Sequence, residues 1–294
     1  MAQTHRAPAG ERTTIRGTLD QRIRAIIKRA LQEDIGSGDL SSASFAENER
    51  GRAVILAKQA GVVAGLPVAE EAFRQLDAKL DWKQRKHDGE KICRGETVAE
   101  LTGSLRAILT GERTALNFLQ RMSGIATLTS RFVEAVAETK AKILDTRKTA
   151  PGLRILDKYA VRAGGGANHR FGLYDGVMLK DNHLRAAGSL GRAVRAVREH
   201  LPPGHPVEVE VTRMSEVEEA IAAGAEIILL DNMSAGETKK AVQLIEGRAL
   251  VEASGGVTLD NVREIAATGV DRISVGALTH SVKALDLSLE VVRG

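Results

Sequence analysis

The most constraining feature of the sequence is a series of short apolar runs in its second half, each followed by a polar loop and a helical pattern. The runs are AKILDTRK, GVMLKDNH, VEVEV, EIILLDN, ALVEASGG and RISVGA. Strands that alternate with helices at this spacing form βα units and a parallel sheet. A chain of 294 residues can hold one large α/β domain, or a barrel with a smaller domain added.

The six runs are fewer than the eight strands of a complete barrel. Reactive residues nevertheless stand at or just past the C-terminal ends of these strands, which is where barrel enzymes build their active sites. They are Arg147, Lys148, Lys180, Glu210, Asp231, Ser254, Gly255 and Gly276. A doubly wound open sheet is the alternative, but no GxGxxG turn follows the first of these strands. The pattern therefore favours an α/β barrel, with either a missed strand or an incomplete ring of strands.

The first half of the chain has a different pattern. Apolar residues at helical spacing from Leu19 to Leu31 predict one amphipathic helix. Short β-prone runs between 51 and 109, with a helical stretch from Val68 to Leu76, indicate a small α+β domain. A long helix is expected from Glu112 to about Thr139, with a break near Gly124.

These patterns give the expected domain organisation. We expect a disordered tail over 1–17 and a small N-terminal α+β domain over 18–111. A C-terminal helix over 279–294 is expected to join that domain, and the barrel catalytic domain is expected over 112–278.

The composition argues against several classes of partner. The net charge of +4 arises from 42 basic and 38 acidic residues, which indicates a mixed surface, and aromatic residues for stacking on bases make up only 3%. No apolar run approaches the length of a membrane span. Cys93 is the single cysteine, so neither an intramolecular disulfide nor a thiolate zinc cluster can form. We expect a cytoplasmic protein with no nucleic-acid or membrane partner.

The segment from Lys142 to Lys180 is the most basic part of the chain. It carries eight basic and three acidic residues, a local excess larger than the net charge of the whole chain. Three of the cations lie at helical spacing and are interpreted as a solvated helix face, namely Arg154, Lys158 and Arg162. Arg147, Lys148 and Lys180 instead leave strand ends, so they are expected to converge on an anion such as a carboxylate or a phosphate.

Between those basic strand ends lies the stretch GGGANHR. Its three glycines allow a loop to pass close to a ligand and present His169 and Arg170, although a glycine cluster can also simply end a helix. Its position between two basic strand ends favours the functional interpretation.

Two carboxylates and two small-residue turns complete the set of candidates. Glu210 and Asp231 could bind Mg²⁺, accept hydrogen bonds from sugar hydroxyls or support a developing cation. Glu208 shares the face of Glu210, which is preferred because it lies nearer the end of the strand. The turns that follow the last two strands allow backbone N–H groups to approach a phosphate, and they comprise Ser254, Gly255 and Gly256, then Val275, Gly276 and Ala277.

Several of these motifs together resemble the quinolinate phosphoribosyltransferase family. They are ERTALNFLQRMSGIAT, DTRKTAPGLR, KYAVRAGGGANHRFGLYDGVMLKDNH, VEVEV, LLDNM and EASGG, and their order covers nearly the whole chain. The resemblance implies an N-terminal α/β sandwich joined to an incomplete, seven-stranded α/β barrel. It also implies transfer of phosphoribosyl from phosphoribosyl pyrophosphate to quinolinate with decarboxylation. The products of this Mg²⁺-dependent step of de novo NAD biosynthesis are nicotinate mononucleotide, pyrophosphate and CO₂.

The resemblance also implies roles for individual residues. The quinolinate pocket would comprise Arg113, Thr146, Arg147, Lys148, His169, Arg170 and Lys180. Phosphoribosyl pyrophosphate would contact Lys148, Glu210, Asp231, Ser254, Gly255, Gly256, Val275, Gly276 and Ala277. Lys148, Lys180, Glu210 and Asp231 would be catalytic, and the two carboxylates would hold Mg²⁺ directly or through water. Arg113 would reach the site of the other subunit in a homodimer.

Three alternatives remain open from the sequence. A related phosphoribosyltransferase-like protein of the molybdenum-transport type shares much of the barrel pattern. A Schiff-base barrel lyase would use Lys180 as its nucleophilic amine. The third is a basic protein that binds nucleotides or RNA without catalysis, and the lyase and this protein both rank below the transferase.

Overall fold

The computed structural model of the chain describes residues 19–46, 48–202 and 204–292. The chain divides into two units. The first, called the N-terminal unit, extends to Gly124 and resumes at Ala284, and the second, called the barrel unit, is Ile125–Lys283. These divisions fall beyond the expected boundaries at 111 and 278, and the tail expected over 1–17 lies outside the described residues.

The N-terminal unit is built on an antiparallel sheet. Its elements are α1 (Gln21–Ile35), a 3₁₀ turn (Ser42–Ser44), β1 (Arg50–Ala57), β2 (Gly61–Val62), α2 (Leu66–Arg74), β3 (Asp81–Gln84), β4 (Lys91–Ile92), β5 (Thr97–Ser104), α3 (Leu105–Ala135), which continues into the barrel unit, and, after that unit, β12 (Leu287–Val292). The sheet has the strand order β12-β1-β5-β3, and β2 pairs with β4 in a separate antiparallel ribbon.

Local chemistry explains why α1 and β1 form where they do. The Asp20 side chain caps α1 by accepting a hydrogen bond from the Arg22 backbone N–H (2.7 Å). The buried residues of α1 recur every four positions, at Ile23, Ile27 and Leu31. In β1, buried residues alternate with partly exposed ones, as a strand with one covered face requires.

Helix α3 is longer at its start than the sequence pattern predicts. It begins at Leu105 rather than at 112, passes through Gly124 without a break and ends at Ala135. Its predicted apolar stripe is buried, for example at Leu116 and Leu119. Among the described ranges, no helix combines the length and the apolar character needed to cross a membrane.

The expectation of a helix over 279–294 is wrong. A short helix, α10, covers only Ala277–His280, and the residues that follow form the strand β12. Leu285, Leu287 and Leu289 alternate with polar residues, which is the two-residue period of a strand rather than the period of a helix. β12 pairs antiparallel with β1, so the expected return of the chain to the N-terminal unit takes place through a strand.

The barrel unit alternates strands and helices. Its elements are β6 (Lys142–Leu144), α4 (Arg154–Ala163), β7 (Val177–Leu179), α5 (Asp181–Ala187), α6 (Leu190–Arg198), β8 (Val207–Val211), α7 (Met214–Ala222), β9 (Ile227–Asp231), α8 (Ala235–Ile245), β10 (Leu250–Ser254), α9 (Val262–Ala267), β11 (Arg272–Ser274) and the helix α10. All neighbouring strands are parallel, in the order β6-β11-β10-β9-β8-β7.

The expected fold class is confirmed, with one difference in the number of strands. Within the described part of the chain the parallel sheet has six strands rather than the seven implied by the resemblance. Beyond β6, a single parallel bridge joins Leu144 to Ala167, so the backbone before Asn168 runs beside β6 without forming a strand. The unit is therefore an incomplete barrel.

We predict that Asp39 titrates well below a free aspartate. Hydrogen bonds from Ser42, and then from Thr110, lower the pKa of Asp39 to about 2. The carboxylate therefore stabilises the fold at pH values above its unfolded-state pKa, near 3.8, and that contribution disappears as the pH falls through about 2. Carboxyl NMR titration should place its midpoint near 2, and Thr110→Val should move the midpoint upward. A midpoint near 3.8 in the unsubstituted protein would refute this assignment.

Candidate active site

The structure places the candidate residues of the barrel unit at one edge of the parallel sheet. Because parallel strands all end at the same edge, residues that follow different strands converge there. Thr146, Arg147 and Lys148 follow β6, Lys180 follows β7, Glu210 lies near the end of β8, Asp231 ends β9, Ser254 ends β10, and Val275, Gly276 and Ala277 follow β11. Arg113 is different, since it is an exposed residue of α3 in the N-terminal unit.

Lys180 and Glu210 connect the basic and the acidic parts of this edge. The Lys180 Nζ donates a hydrogen bond to Glu210 Oε2, and the two side chains form an ion pair. Asp231, in the next strand, accepts a hydrogen bond from Asn232 Nδ2 (2.8 Å). Lys180 and both carboxylates remain partly exposed, so a ligand can reach them.

Arg147 and Arg170 form a cationic pair beside the ends of β6 and β7. The Arg147 Nε is buried and has no hydrogen-bond partner, whereas Arg170 Nη1 donates to the Gly176 carbonyl (2.9 Å). Burial lowers the pKa of Arg170, and the charge of Arg147 lowers it further. Two arginines that disfavour each other's charge, one of them with an unsatisfied N–H, are suited to an anionic ligand.

The turn after β10 depends on glycine. Gly255 has a φ of +90°, and a Cβ at this position would lie 2.2 Å from Asn232 Oδ1. The Asn232 backbone N–H donates to the Ser254 carbonyl (2.9 Å), which holds the turns after β9 and β10 together. The small residues predicted for a phosphate site are therefore also required by the packing of these two turns.

His169 is buried, and both of its ring nitrogens are engaged within the protein. Its Nδ1 accepts a hydrogen bond from the Arg170 backbone N–H (2.7 Å). Because a backbone amide can only donate, Nδ1 is unprotonated in this arrangement and Nε2 carries the proton. Nε2 lies 3.2 Å from Glu208 and 3.3 Å from Glu252. The ring therefore accepts a hydrogen bond from the Arg170 backbone through Nδ1 and faces two carboxylates with Nε2.

The cluster of His169, Glu208 and Glu252 has the composition of a metal site, since its potential ligand atoms lie within 4.8 Å of one another. A metal ion would need the Nε2 lone pair, yet Nε2 must hold a proton while Nδ1 accepts from Arg170. The geometry favours a hydrogen-bonded network. Glu252 also accepts a hydrogen bond from Ser274 Oγ, which satisfies one of its oxygens without a metal.

Burial and the neighbouring carboxylates shift the pKa of His169 in opposite directions. Burial lowers the pKa of His169, but the hydrogen bonds that its ring donates to Glu208 and Glu252 outweigh it and raise the pKa to about 9. The second ring proton would have to occupy Nδ1 and displace the Arg170 amide, which opposes the effect of the carboxylates. Burial also raises the pKa of Glu208.

The interpretation of α4 as a solvated basic face is wrong for two of its three cations. Lys158 is buried and paired with Asp145, and its Nζ also donates to the His169 carbonyl (2.9 Å). Arg154 donates to the carbonyls of Phe171 (3.1 Å) and Arg147 (3.3 Å). Arg162 is exposed, as predicted. The spacing was read correctly, but spacing alone does not show which side of a helix faces the fold.

Two buried carboxylates near the site, Asp145 and Glu252, were missed in the sequence, and a third, Glu208, was set aside in favour of Glu210. Each stands within or just after an apolar run, where a charged residue is buried only with a partner. That signal could have identified them as members of a polar network. The glycine cluster that precedes Asn168 has a packing role, since a Cβ on Gly164 would lie 2.4 Å from the Ala126 carbonyl oxygen of α3.

The chain is similar to known proteins over most of its length. Two family models match the chain, "Quinolinate phosphoribosyl transferase, N-terminal domain" over residues 39–123 and "Quinolinate phosphoribosyl transferase, C-terminal domain" over residues 125–290. The chain is 46% identical to the "Probable nicotinate-nucleotide pyrophosphorylase (carboxylating)" of Bacillus subtilis, over 92% of this chain and 93% of that protein. The structure of the nicotinate-nucleotide pyrophosphorylase from Francisella tularensis is 41% identical, with a TM-score of 0.90 over 95% of this chain and 99% of that one.

The chain thus belongs to the quinolinate phosphoribosyltransferase family. Its activity is that of a nicotinate-nucleotide pyrophosphorylase of the carboxylating type, EC 2.4.2.19, in de novo NAD biosynthesis. The function expected from the sequence is confirmed, and the molybdenum-transport alternative is set aside.

We predict that His169→Leu destabilises the protein in a pH-dependent way. The substitution leaves two buried carboxylates without their shared donor, which should lower the free energy of unfolding by about 3–5 kcal/mol at pH 8. The loss should be smaller at pH 5, because burial raises the pKa of Glu208 and favours its protonation. Urea unfolding at both pH values measures the difference. His200→Leu, at an exposed histidine, is the control, and an equal loss for His169→Leu at pH 5 and pH 8 would contradict the network.

Proposed function

We propose that the two substrates occupy different parts of the strand-end edge, the edge of the parallel sheet at which its strands end. Quinolinate lies on the cations that follow β6 and β7, and phosphoribosyl pyrophosphate lies on the ends of β8 to β11. Lys180 stands where the two parts meet, because it follows β7 and pairs with Glu210 of β8. Support for this division comes from the distribution of charge, with cations on one side and carboxylates and small turns on the other.

The observation that carries the proposal is the arginine pair. Quinolinate has two adjacent carboxylates, and Arg147 and Arg170 are two neighbouring cations, one with a buried Nε that lacks a partner. Each charge-assisted hydrogen bond to a carboxylate is worth about 1.5–3 kcal/mol. Thr146, Lys148 and Lys180 line the same edge. His169 contributes by supporting the Arg170 backbone, since its own ring nitrogens are engaged.

The proposed contacts of phosphoribosyl pyrophosphate are made by the residues at the ends of β8 to β11. Glu210 and Asp231 accept hydrogen bonds from the ribose hydroxyls. The backbone N–H groups of Ser254, Gly255, Gly256, Val275, Gly276 and Ala277 receive the 5′-phosphate, and the exposed Lys148 lies beside Gly276, since a Cβ there would be 3.1 Å from the lysine Cδ.

The donors near this part of the edge suit Mg²⁺. Carboxylate oxygens are its preferred protein ligands, and Mg²⁺ commonly uses one or two carboxylates together with water and substrate phosphates. Glu210 and Asp231 provide two partly exposed carboxylates on neighbouring strands, so they would hold the ion directly or through water. When bound, Mg²⁺ would neutralise charge on the departing pyrophosphate.

The residues act mainly by positioning and electrostatics. The cations orient quinolinate so that its ring nitrogen forms a bond to the anomeric carbon as the bond from that carbon to pyrophosphate breaks. Glu210 and Asp231 stabilise the positive charge that develops on the ribose. The ring is then a pyridinium that accepts the electron pair when the neighbouring carboxylate leaves as CO₂, and a proton takes the place of CO₂ on the ring. No side chain forms a covalent bond to the substrate.

A homodimer completes the quinolinate pocket in this proposal. Arg113 is an exposed arginine of α3 and belongs to the N-terminal unit. The partner subunit's Arg113 would add a further cation to the pocket. A cytoplasmic location also remains a proposal, which is supported by the exposed free thiol of Cys93 and tested by cell fractionation.

The Schiff-base lyase has no support in the geometry. A lysine that attacks a carbonyl must present a free amine to it, whereas the Lys180 Nζ is engaged in an ion pair with Glu210. Borohydride trapping with a carbonyl substrate should therefore leave the protein unlabelled.

The first test of the proposed site is Arg170→Gln. Incubation with quinolinate, phosphoribosyl pyrophosphate and Mg²⁺ should yield nicotinate mononucleotide and CO₂. The variant should raise the KM for quinolinate by about tenfold to a hundredfold, because it removes charge-assisted hydrogen bonds. Arg162→Gln, on the exposed side of α4, is the matched control. An unchanged quinolinate KM in Arg170→Gln would rule out this placement of the substrate.

The second test concerns the shared site. Arg113→Ala and Lys180→Ala should each be nearly inactive alone, because each removes a cation from every pocket. Mixing and reassembly should restore part of the activity, since some dimers then contain one pocket with both residues intact. Activity of mixtures after verified subunit exchange is the measurement, and no recovery would argue against a pocket that combines two subunits.

A further inference from the structure

Asp145 is the centre of a buried group of contacts behind the quinolinate part of the edge. It immediately follows β6 and is fully buried. Its Oδ1 accepts hydrogen bonds from Lys158 Nζ and from the His169 backbone N–H (2.9 Å). Its Oδ2 accepts a hydrogen bond from Asn168 Nδ2 (2.5 Å). One carboxylate thus joins the end of β6, the helix α4 and the loop that carries Arg170.

Lys158 holds the same loop from the side of α4. Its Nζ donates to the His169 carbonyl as well as to Asp145, and its own carbonyl accepts a hydrogen bond from Asn168 Nδ2 (2.8 Å). The backbone N–H and the backbone C=O of His169 are therefore both fixed by this ion pair. His169 in turn fixes the backbone N–H of Arg170 through its ring.

The pair is poorly explained by stability alone. Burial raises the pKa of Asp145 and lowers the pKa of Lys158, so the surroundings disfavour the charged form of each partner. A buried ion pair of this kind can often be replaced by neutral groups of similar volume without loss of stability. What neutral apolar groups could not supply is the set of hydrogen bonds that holds residues 168 and 169.

Arg154 provides a second connection from α4. Its guanidinium donates to the carbonyls of Arg147 and Phe171, and its Nε donates to Thr149 Oγ1 (3.0 Å). These partners belong to the two loops that carry Arg147 and Arg170. The helix therefore contacts the backbone of Arg147 and that of Phe171, the residue next to Arg170.

We propose that Asp145, Lys158 and Arg154 are positioning residues that set the separation of Arg147 and Arg170 for the two carboxylates of quinolinate. The inference rests on the proposed role of this arginine pair in quinolinate binding. The three residues act through backbone contacts, so they are not catalytic residues. Their effect falls on quinolinate rather than on phosphoribosyl pyrophosphate, whose proposed contacts lie mainly on β8 to β11.

The main experiment is the double variant Asp145→Asn/Lys158→Met. It conserves volume and leaves no buried unpaired charge, so the protein is expected to fold. Asparagine has a single acceptor oxygen and cannot serve both His169 and Asn168, and methionine cannot donate to the His169 carbonyl. The KM for quinolinate should rise about tenfold, whereas the KM for phosphoribosyl pyrophosphate should stay within about twofold.

The matched control is Asp271→Asn/Lys140→Met. Asp271 accepts hydrogen bonds from Lys140 Nζ (2.7 Å) and from the Val251 backbone N–H (2.8 Å), so it also joins a lysine to a backbone amide. These contacts lie at the starts of β10 and β11, the opposite end of the strands from the site. This variant should leave both KM values within about twofold.

A second variant keeps the inference testable if the double variant does not fold. Arg154→Met removes the connection between the two loops at a partly exposed position, and Arg162→Met, at an exposed arginine of the same helix, is its control. Arg154→Met should raise the quinolinate KM several-fold, on the order of threefold to tenfold, with little change in the other KM.

The outcomes separate this inference from the proposed site. A parallel rise of both KM values in the double variant, or no change in either, would overturn the positioning role, and Arg154→Met decides in the same way if the double variant is unfolded. Arg170→Gln serves as the reference. If Arg170→Gln raises the quinolinate KM and these variants do not, the site stands and the positioning role fails. If Arg170→Gln has no effect, the quinolinate placement fails first.

Discussion

Two neighbouring arginines repel each other, and the barrel unit must hold Arg147 and Arg170 in place against that repulsion. The lowered pKa of Arg170 reflects both its burial and the charge of Arg147. Among the described residues neither guanidinium forms an ion pair with a carboxylate, and Arg170 instead donates to a backbone carbonyl. The pair is therefore suited to a dianion, but it also requires that the backbone of both loops be rigid.

Carboxylates placed behind the cations supply that rigidity. Asp145 fixes the backbone of the loop 168–170, while Glu208 and Glu252 fix the ring of His169 from the inner face of the sheet. Because these carboxylates contact His169 and Lys158 rather than the arginines, the negative charge stabilises the loop without occupying the anion site. The acidic groups that do reach the edge, Glu210 and Asp231, lie on the other side of Lys180.

Much of the fold and of the edge could be predicted from the sequence, because strand ends and their charged residues are local features. The strands from β6 to β11 were all recognised, and their carboxyl ends carry the predicted residues. What could not be predicted depends on contacts between distant residues. Lys158 was predicted to be solvated, but in the structure it pairs with Asp145. His169 was predicted to contact a ligand, but its two ring nitrogens interact with Arg170 and Glu208. The strand β12 was missed even though its alternation is local, because a helix was expected over the same residues.

The strand β12 has a consequence for how the protein is made. In the N-terminal unit it pairs with β1 along its length, yet the entire barrel unit separates the two strands in the chain. During synthesis β1 therefore emerges long before its neighbour, and one edge of β1 keeps unpaired N–H and C=O groups until the ribosome has translated the barrel. Because β12 is translated after the barrel unit, the sheet of the N-terminal unit is complete only once the barrel unit has been synthesised.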